Sequence, residues 1–430
     1  MVFCERFVTF AIRCPQSDSP TAPPTLLRKT SISTHPTQKE LLRPYSQGMA
    51  ANSQLSQRQQ ALDLLRFPLA IVILTIHVWS LSSFDLKGSH IDPTAFPLSR
   101  EINFFIDAFF RGQSVPIYFF ISGFVFFFGV DWNRQAYFRK LKNRVKTLLI
   151  PYLIWNTVAI GMLTVKYLPF FERFRDNYAD FSFGFKALLA CFWNYRHDFF
   201  PALLEQTDLS ASAGIYPIDG PLWFLRDLMI VVAVSPLLYR VLKQRGGELE
   251  VAALGVAWFV SGYWNLQHIN QLLSAFFFFS WGAVLSIRQK DMLTEFGRYF
   301  TFSMWAYPVL ALLHVGALHF CPEAAFTIKR LNILAGLLFA YNAAAWLLEH
   351  HVCKPSAFLA SSSFFIYATH ELIRTRLRNI FCILIRPRSD AGMLVTYSLI
   401  FLSTLGILLT AFYLLRQYAP RLLKVIAGRQ

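Results

Sequence analysis

The chain has little charge, few acids and no paired-cysteine pattern, and each shortage excludes something. Only 15% of its 430 residues are Asp, Glu, Lys or Arg, against roughly a quarter in ordinary soluble domains. An enzyme with a fully solvated surface is therefore excluded. The six cysteines (Cys4, Cys14, Cys191, Cys321, Cys353 and Cys382) form no CxxC pair and stand in no His/Cys cluster, so no metal is expected. No GxxxxGK[ST] loop occurs, which argues against an ATPase that cradles phosphate on backbone amides. Neither tandem nor inverted repeats are visible, and no soluble domain is appended. Acids number 25 against 41 bases, a net charge of +16. Such a balance can signal nucleic acid, but here the bases lie in short loops at the ends of apolar blocks. Nucleic acid is not an expected partner.

What is abundant is apolar. Hydrophobic residues make up 55% of the chain and aromatics 17%, with 44 Phe, and the mean hydropathy is +0.40. The apolar blocks run to about 17–25 residues, each long enough to cross a ~30 Å hydrocarbon core. The expected fold class is all-α, a polytopic transmembrane helical bundle of about ten spans. They are placed near 62–84, 114–130, 147–168, 221–241, 249–265, 271–287, 301–320, 328–348, 358–384 and 393–415. Pro68, Pro116, Pro151, Pro236 and Pro308 mark kinks, because neighbouring helices can satisfy the carbonyls they free.

Lys and Arg set the orientation. Arg134, Arg139, Lys140, Lys142, Arg144 and Lys146 follow the second span; Arg240, Lys243 and Arg245 follow the fourth. Arg288, Lys290 and Arg298 follow the sixth, and Arg416, Arg421, Lys424 and Arg429 close the chain. Basic loops stay cytoplasmic, so both termini are expected inside, in the cell (inner) membrane among its lipids. The stretch 169–220, with Glu172, Asp176, Asp180, Asp198, Glu205, Asp208 and Asp219, then faces outward; Lys329-Arg330 and Arg386/Arg388 are exceptions. Cys191 and Cys321 share that side and could pair, although separate thiols are the preferred reading. Residues 1–58 read as a disordered tail, with 1–48 a misassigned extension upstream of Met49. Residues 59–416 are the membrane domain and 417–430 a basic cytoplasmic tail.

The most informative stretch is Leu62-Asp63-Leu64-Leu65-Arg66, which runs through apolar Phe67–Ile76 to His77-Val78-Trp79. Ionisable side chains inside a span are expensive and usually functional. Arg66 and His77 are eleven positions apart. At ~100° per residue they share one face, ~16 Å apart along the axis. The guanidinium is expected near the inner interface and the imidazole near mid-bilayer.

Four further patterns follow in order. They are Val115-Pro116-Ile117-Tyr118-Phe119-Phe120-Ile121-Ser122-Gly123-Phe124, Arg144-Val145-Lys146-Thr147-Leu148-Leu149-Ile150-Pro151-Tyr152, Gly220-Pro221-Leu222-Trp223-Phe224-Leu225-Arg226-Asp227-Leu228, and Ser363-Phe364-Phe365-Ile366-Tyr367-Ala368-Thr369-His370. With all five in register over about 58–416, the chain resembles the acyltransferase-3 family of inner-membrane acyltransferases, which includes O-acetyltransferases that decorate bacterial polysaccharides. The resemblance implies that Arg66 and His77 are essential for acyl transfer. It also implies acyl-CoA, acetyl-CoA first, as donor substrate with no permanently bound cofactor, and a carbohydrate or lipid-linked glycan hydroxyl as acceptor.

The residues agree. Transfer from a thioester to a hydroxyl needs a base near neutral pH, and imidazole supplies one. Its bland alternative is packing glue bonded to a helix carbonyl. Arg66 could hold a CoA phosphate bidentately, or serve as an interfacial anchor paired with Asp63. Lys140, Lys142, Arg144 and Lys146 suit the anionic nucleotide of acyl-CoA, or simply set topology. Arg226 and Asp227 are either a pocket wall or an internal ion pair. His370 and Glu371, with Arg374, Arg376 and Arg378, suggest one wet face on the ninth span, where Glu371 would orient an imidazole or bind a substrate hydroxyl. Ser122-Gly123 permits close helix approach, and Ser122 is a poor nucleophile candidate. His90, His197, His268, His314, His319, His350 and His351 read as loop or helix-end residues. The chief rival function is a proton-coupled transporter of a small polar solute, which should show two related halves with broken helices. A glycosyltransferase would need acid pairs in the first outer loop, and Asp85 and Asp92 match poorly.

Overall fold

Apolar runs with few breakers become helices, and they do so in all ten expected places. The computed structural model describes residues 60–80, 84–86, 89–166, 184–194, 216–264 and 267–428. The expected tail 1–58 and most of the expected outward stretch 169–220 lie outside the described residues. α1 (Gln60–Val78) is followed by an antiparallel hairpin, β1 (Phe84–Leu86) and β2 (Ser89–Ile91), with Phe84 opposite Ile91. α2 (Pro97–Phe109) is amphipathic and opens on proline, whose missing N–H costs nothing there. Next come α3 (Ser114–Phe127), α4 (Arg134–Arg144), a π-helical turn (Val145–Leu149), α5 (Ile150–Lys166) and α6 (Phe185–Ala190). α7 (Trp223–Ala233), α8 (Ser235–Lys243), α9 (Gly247–Ser261), α10 (Gln267–Ile287) and α11 (Met292–Gly297) follow. α12 (Phe300–Phe320), α13 (Pro322–Glu349), α14 (Ala357–Ile385), α15 (Asp390–Tyr418) and α16 (Pro420–Ile426) complete the chain.

Among the described residues six continuous helical stretches are long and apolar enough to cross a membrane: Gln60–Val78, Arg134–Val165 (α4 through α5), Ile269–Ile287, Phe300–Phe320, Pro322–Glu349 and Asp390–Tyr418. α7 and α8, bent by 61°, add a seventh if they count as one broken span. The bend has a local cause. Pro236 has no N–H to continue the ladder, and its ring would clash with the carbonyl of Val232. α3 and α9, at 14 and 15 residues, are short for a span. α14 is long enough but carries Glu371, Arg374, Arg376 and Arg378.

The centre is where α3 crosses α10. A Cβ on Gly123 would stand 2.0 Å from the Phe279 carbonyl oxygen, and one on Gly282 would stand 2.0 Å from that of Phe120. The two backbones touch, as the Ser122-Gly123 pair suggested. Phe119, Phe120, Phe126, Phe278 and Phe279 are buried around this crossing, so much of the Phe excess is interior packing. At the chain end, Trp155 Nε1 donates to the Ile426 carbonyl at 2.9 Å, and Leu423 and Ile426 are buried. The basic tail therefore contains a helix docked against α5. Cys191 and Cys321 are both free thiols, so the pairing considered for them does not form.

Candidate active site

α1 ends one residue after His77, which corrects the expectation of a span reaching residue 84. His77 stands in the last turn. Arg111 explains the stop: its Nη2 donates to the carbonyls of Ile76 (3.1 Å) and Trp79 (3.3 Å), which bracket His77. Helix ends leave such carbonyls without amide partners, and a cation there also suits the helix dipole. Arg111 is held in turn by Asp107, Nε to Oδ1 at 2.7 Å. Asp107 also accepts from Lys329 Nζ at 2.7 Å and His314 Nε2 at 3.2 Å, tying α2 to α12 and α13. Burial alone would raise the Asp107 carboxyl. The His314 hydrogen bond, the Lys329 ammonium and Arg111 outweigh burial and hold it below the ordinary carboxylate range.

The half-buried His77 faces α14. Its Nδ1 lies 3.8 Å from Glu371 Oε2, and its ring centroid lies 5.1 Å from that of His370. His370 is wholly buried, with Nδ1 2.8 Å from the Tyr367 carbonyl oxygen and 3.2 Å from that of Ile366. Facing two acceptors, Nδ1 must carry the ring hydrogen, which leaves a lone pair on Nε2; that atom has no hydrogen-bond partner among the described residues. Glu371 is fixed from its other side. Arg374 reaches both oxygens, Nε to Oε2 at 3.0 Å and Nη2 to Oε1, and the Thr375 hydroxyl donates to Oε1 at 2.9 Å. Glu371, Arg374 and Thr375 share one helix face by their i, i+3, i+4 spacing. The Glu371 carboxylate, held by Arg374, thus faces His77 of α1.

Arg66 does not join this cluster. It is exposed and ion-paired to Asp63 at 2.8 Å, the geometry of the interfacial anchor. Tyr118 donates to its backbone carbonyl at 2.9 Å, fixing α3 against α1 at that level. Arg226 and Asp227 form a buried pair at 2.8 Å. Arg226 also donates to the Trp193 carbonyl at 2.9 Å and lies over the Trp193 ring, so this pair pins the 184–194 segment to α7. Lys140 and Arg144 fold back over the Phe126 ring, 5.3 and 5.8 Å from its centroid, whereas Lys142 and Lys146 are exposed. Ser122 is half-buried in α3, outside the histidine cluster.

Residues 59–415 match a family model described as an acyltransferase domain. The chain belongs to the acyltransferase-3 family. No curated protein and no solved structure matches it. Family and spanning helices together make this acyltransferase a multi-pass membrane protein.

Two features of this candidate site are not visible in the acyltransferase's sequence. Asp107 and Arg111 stand four apart, which signals a helical ion pair, but nothing local shows that Arg111 caps α1. His314 is not the loop or helix-end residue expected. It sits inside α12, buried, with Nδ1 2.9 Å from the Ala325 carbonyl and Nε2 on Asp107.

Proposed function

We propose that this membrane acyltransferase moves an acyl group, acetyl in the first instance, from cytoplasmic acyl-CoA to a hydroxyl of a sugar, lipid-linked or exported. In this reading it crosses the inner membrane ten times, with both termini cytoplasmic. The observation that carries the reading is the carboxylate of Glu371 facing His77 Nδ1. A carboxylate there favours hydrogen on Nδ1 and leaves Nε2 free as base. The 3.8 Å separation is longer than a hydrogen bond, and such contacts commonly tighten once substrate is bound.

In the proposed step His77 Nε2 takes the acceptor's hydroxyl proton as its oxygen attacks the thioester carbonyl. Collapse of the tetrahedral adduct breaks the C–S bond, and the imidazolium returns the proton to the departing thiolate. No net proton is needed. Glu371, itself held by Arg374, stabilises the transient imidazolium. Arg66 lies ~16 Å from His77 along α1, about the reach of an extended pantetheine arm. Its exposed guanidinium would bind a CoA phosphate while the thioester lies beside His77. Lys142 and Lys146, exposed and basic, would meet the incoming nucleotide.

The test is direct. Purified protein in liposomes is given radiolabelled acetyl-CoA and a lipid-linked oligosaccharide fraction. Label appearing as an alkali-labile ester on sugar supports the reading. CoA release without acylated sugar, or no consumption of acetyl-CoA, overturns it.

A further inference from the structure

We propose that His77, His370 and Glu371 form a binding site for a zinc-class divalent transition metal, and that its occupancy stops acyl transfer. The three side chains each offer one ligand atom, and these atoms lie within 4.8 Å of one another. Proximity alone would not suffice, and two further features point to a metal. His370 gives its Nδ1 hydrogen to backbone carbonyls and keeps a buried lone pair on Nε2 that has no partner among the described residues. That arrangement is typical of metal-ligating histidines, whose second nitrogen is anchored to a carbonyl or carboxylate. Glu371 is likewise held from behind, by Arg374 and Thr375, as ligating carboxylates are.

The donor set chooses the metal. Two imidazoles and a carboxylate make the three-ligand frame of an open zinc site, with a fourth place for water. Magnesium and calcium prefer oxygen cages and are poorly served by two nitrogen donors. Bonds of ~2.0–2.2 Å in a tetrahedron place donor atoms about 3.3 Å apart. The ligands must therefore close by up to about 1.5 Å from the observed 4.8 Å. Rotation of the half-buried His77 ring would supply that movement, since His370 and Glu371 are held by hydrogen bonds. Arg374, paired to Glu371, and Arg111, bonded to the carbonyls on either side of His77, bring positive charge to the site and oppose a dication. The result is a reversible site, suited to a switch and not to a resident cofactor.

Inhibition follows from valence. A neutral imidazole has one lone pair, and once that pair is on a metal the ring has nothing left to accept a proton. This clause rests on the proposed role of His77 as base; the metal site itself does not.

Detergent-purified protein is titrated with Co²⁺, whose tetrahedral nitrogen complexes absorb in the visible, and the band is then competed with Zn²⁺. The expected result is one equivalent of Co²⁺, bleached by Zn²⁺. Affinity should fall at least about tenfold in His77→Gln, where one of three ligands is lost. His319→Gln, which removes the exposed His319–Glu101 pair at 2.7 Å, should leave the band unchanged. Absence of the band, or its persistence in His77→Gln, overturns the site. Because His77 is half-exposed, its variant keeps the fold at risk least. His370→Gln, in the buried core, is scored only in a monodisperse gel-filtration peak and should also lose the band. Zn²⁺ should stop acyl transfer at the concentration that bleaches Co²⁺; transfer unaffected at full occupancy overturns the inhibitory claim. Metal binding by a protein whose His77→Gln variant still transfers acyl groups would instead sink the base assignment and leave the site standing.

Discussion

Replacing Glu371 by Gln keeps the side chain's shape and removes the charge that faces His77. Two unit charges 3.8 Å apart interact by about 4 kcal/mol at an effective dielectric near 20. Arg374 sits on the same carboxylate and opposes an imidazolium, and the partial exposure of His77 weakens the attraction further. About 2 kcal/mol should survive, which is roughly 30-fold in kcat. The KM for acyl-CoA should barely move, because Glu371 faces the base and not the donor. One confounding effect is stability: Glu371→Gln leaves the buried Arg374 guanidinium without its carboxylate, at a cost of about 3 kcal/mol. The double variant Glu371→Gln/Arg374→Gln removes the stranded charge. It should melt closer to wild type while keeping the low kcat. Radiolabel transfer in proteoliposomes gives kcat and KM, and thermal melting in detergent gives stability. A folded Glu371→Gln enzyme with kcat within about threefold of wild type would refute the orienting role.

Three other outcomes are expected. Arg66→Ala should raise the KM for acyl-CoA by roughly tenfold, the loss of one charge-assisted phosphate contact, with kcat little changed; an unchanged KM would leave Arg66 as an anchor paired with Asp63. Gly123→Ala forces a Cβ to within 2.0 Å of the Phe279 carbonyl oxygen and should destabilise the bundle by about 3 kcal/mol or prevent its folding; a wild-type melting temperature would contradict the backbone contact between α3 and α10. Asp107→Asn strands Lys329 and Arg111 and should cost about 3 kcal/mol. Its pH dependence has a definite sign. The folded carboxyl is held below the ordinary range, so its contribution is complete above the unfolded value near 3.9 and is lost as pH falls through the folded one. The melting-temperature gap between wild type and Asp107→Asn should therefore stay constant from pH 8 down to about pH 4. A gap closing near pH 6 would show that another group carries it.

The helices were legible because hydropathy and helix length answer to the same bilayer dimension. Each expected apolar block between 62 and 415 holds a helix among the described residues, and the small-residue step at Ser122-Gly123 lies at a true backbone contact. The departures have physical causes. α1 stops at Val78 because Arg111, 33 residues on, takes its terminal carbonyls. α7 breaks from α8 because Pro236 ends the amide ladder. At the site, His77, His370 and Glu371 were each conspicuous as ionisable groups in apolar helices. Glu371 was expected to orient an imidazole, but which one was invisible, since 293 residues separate His77 from His370 and no local pattern encodes a contact between α1 and α14. Arg66 stays open for a different reason: helical periodicity places it on the face of His77, but periodicity says nothing about which partner a guanidinium takes, and in the structure it pairs with Asp63 three residues back.

The central claim is that the His77 imidazole performs the proton transfer, and His77→Gln tests it most directly. That variant keeps a polar side chain at a half-exposed position and removes the titratable ring. Rates of acetyl transfer from labelled acetyl-CoA are compared for wild type and His77→Gln at equal folded concentration. The account predicts a loss of at least about a hundredfold in kcat, the lower bound for removing a general base, with acyl-CoA still bound. Transfer at the wild-type rate in folded His77→Gln would contradict it.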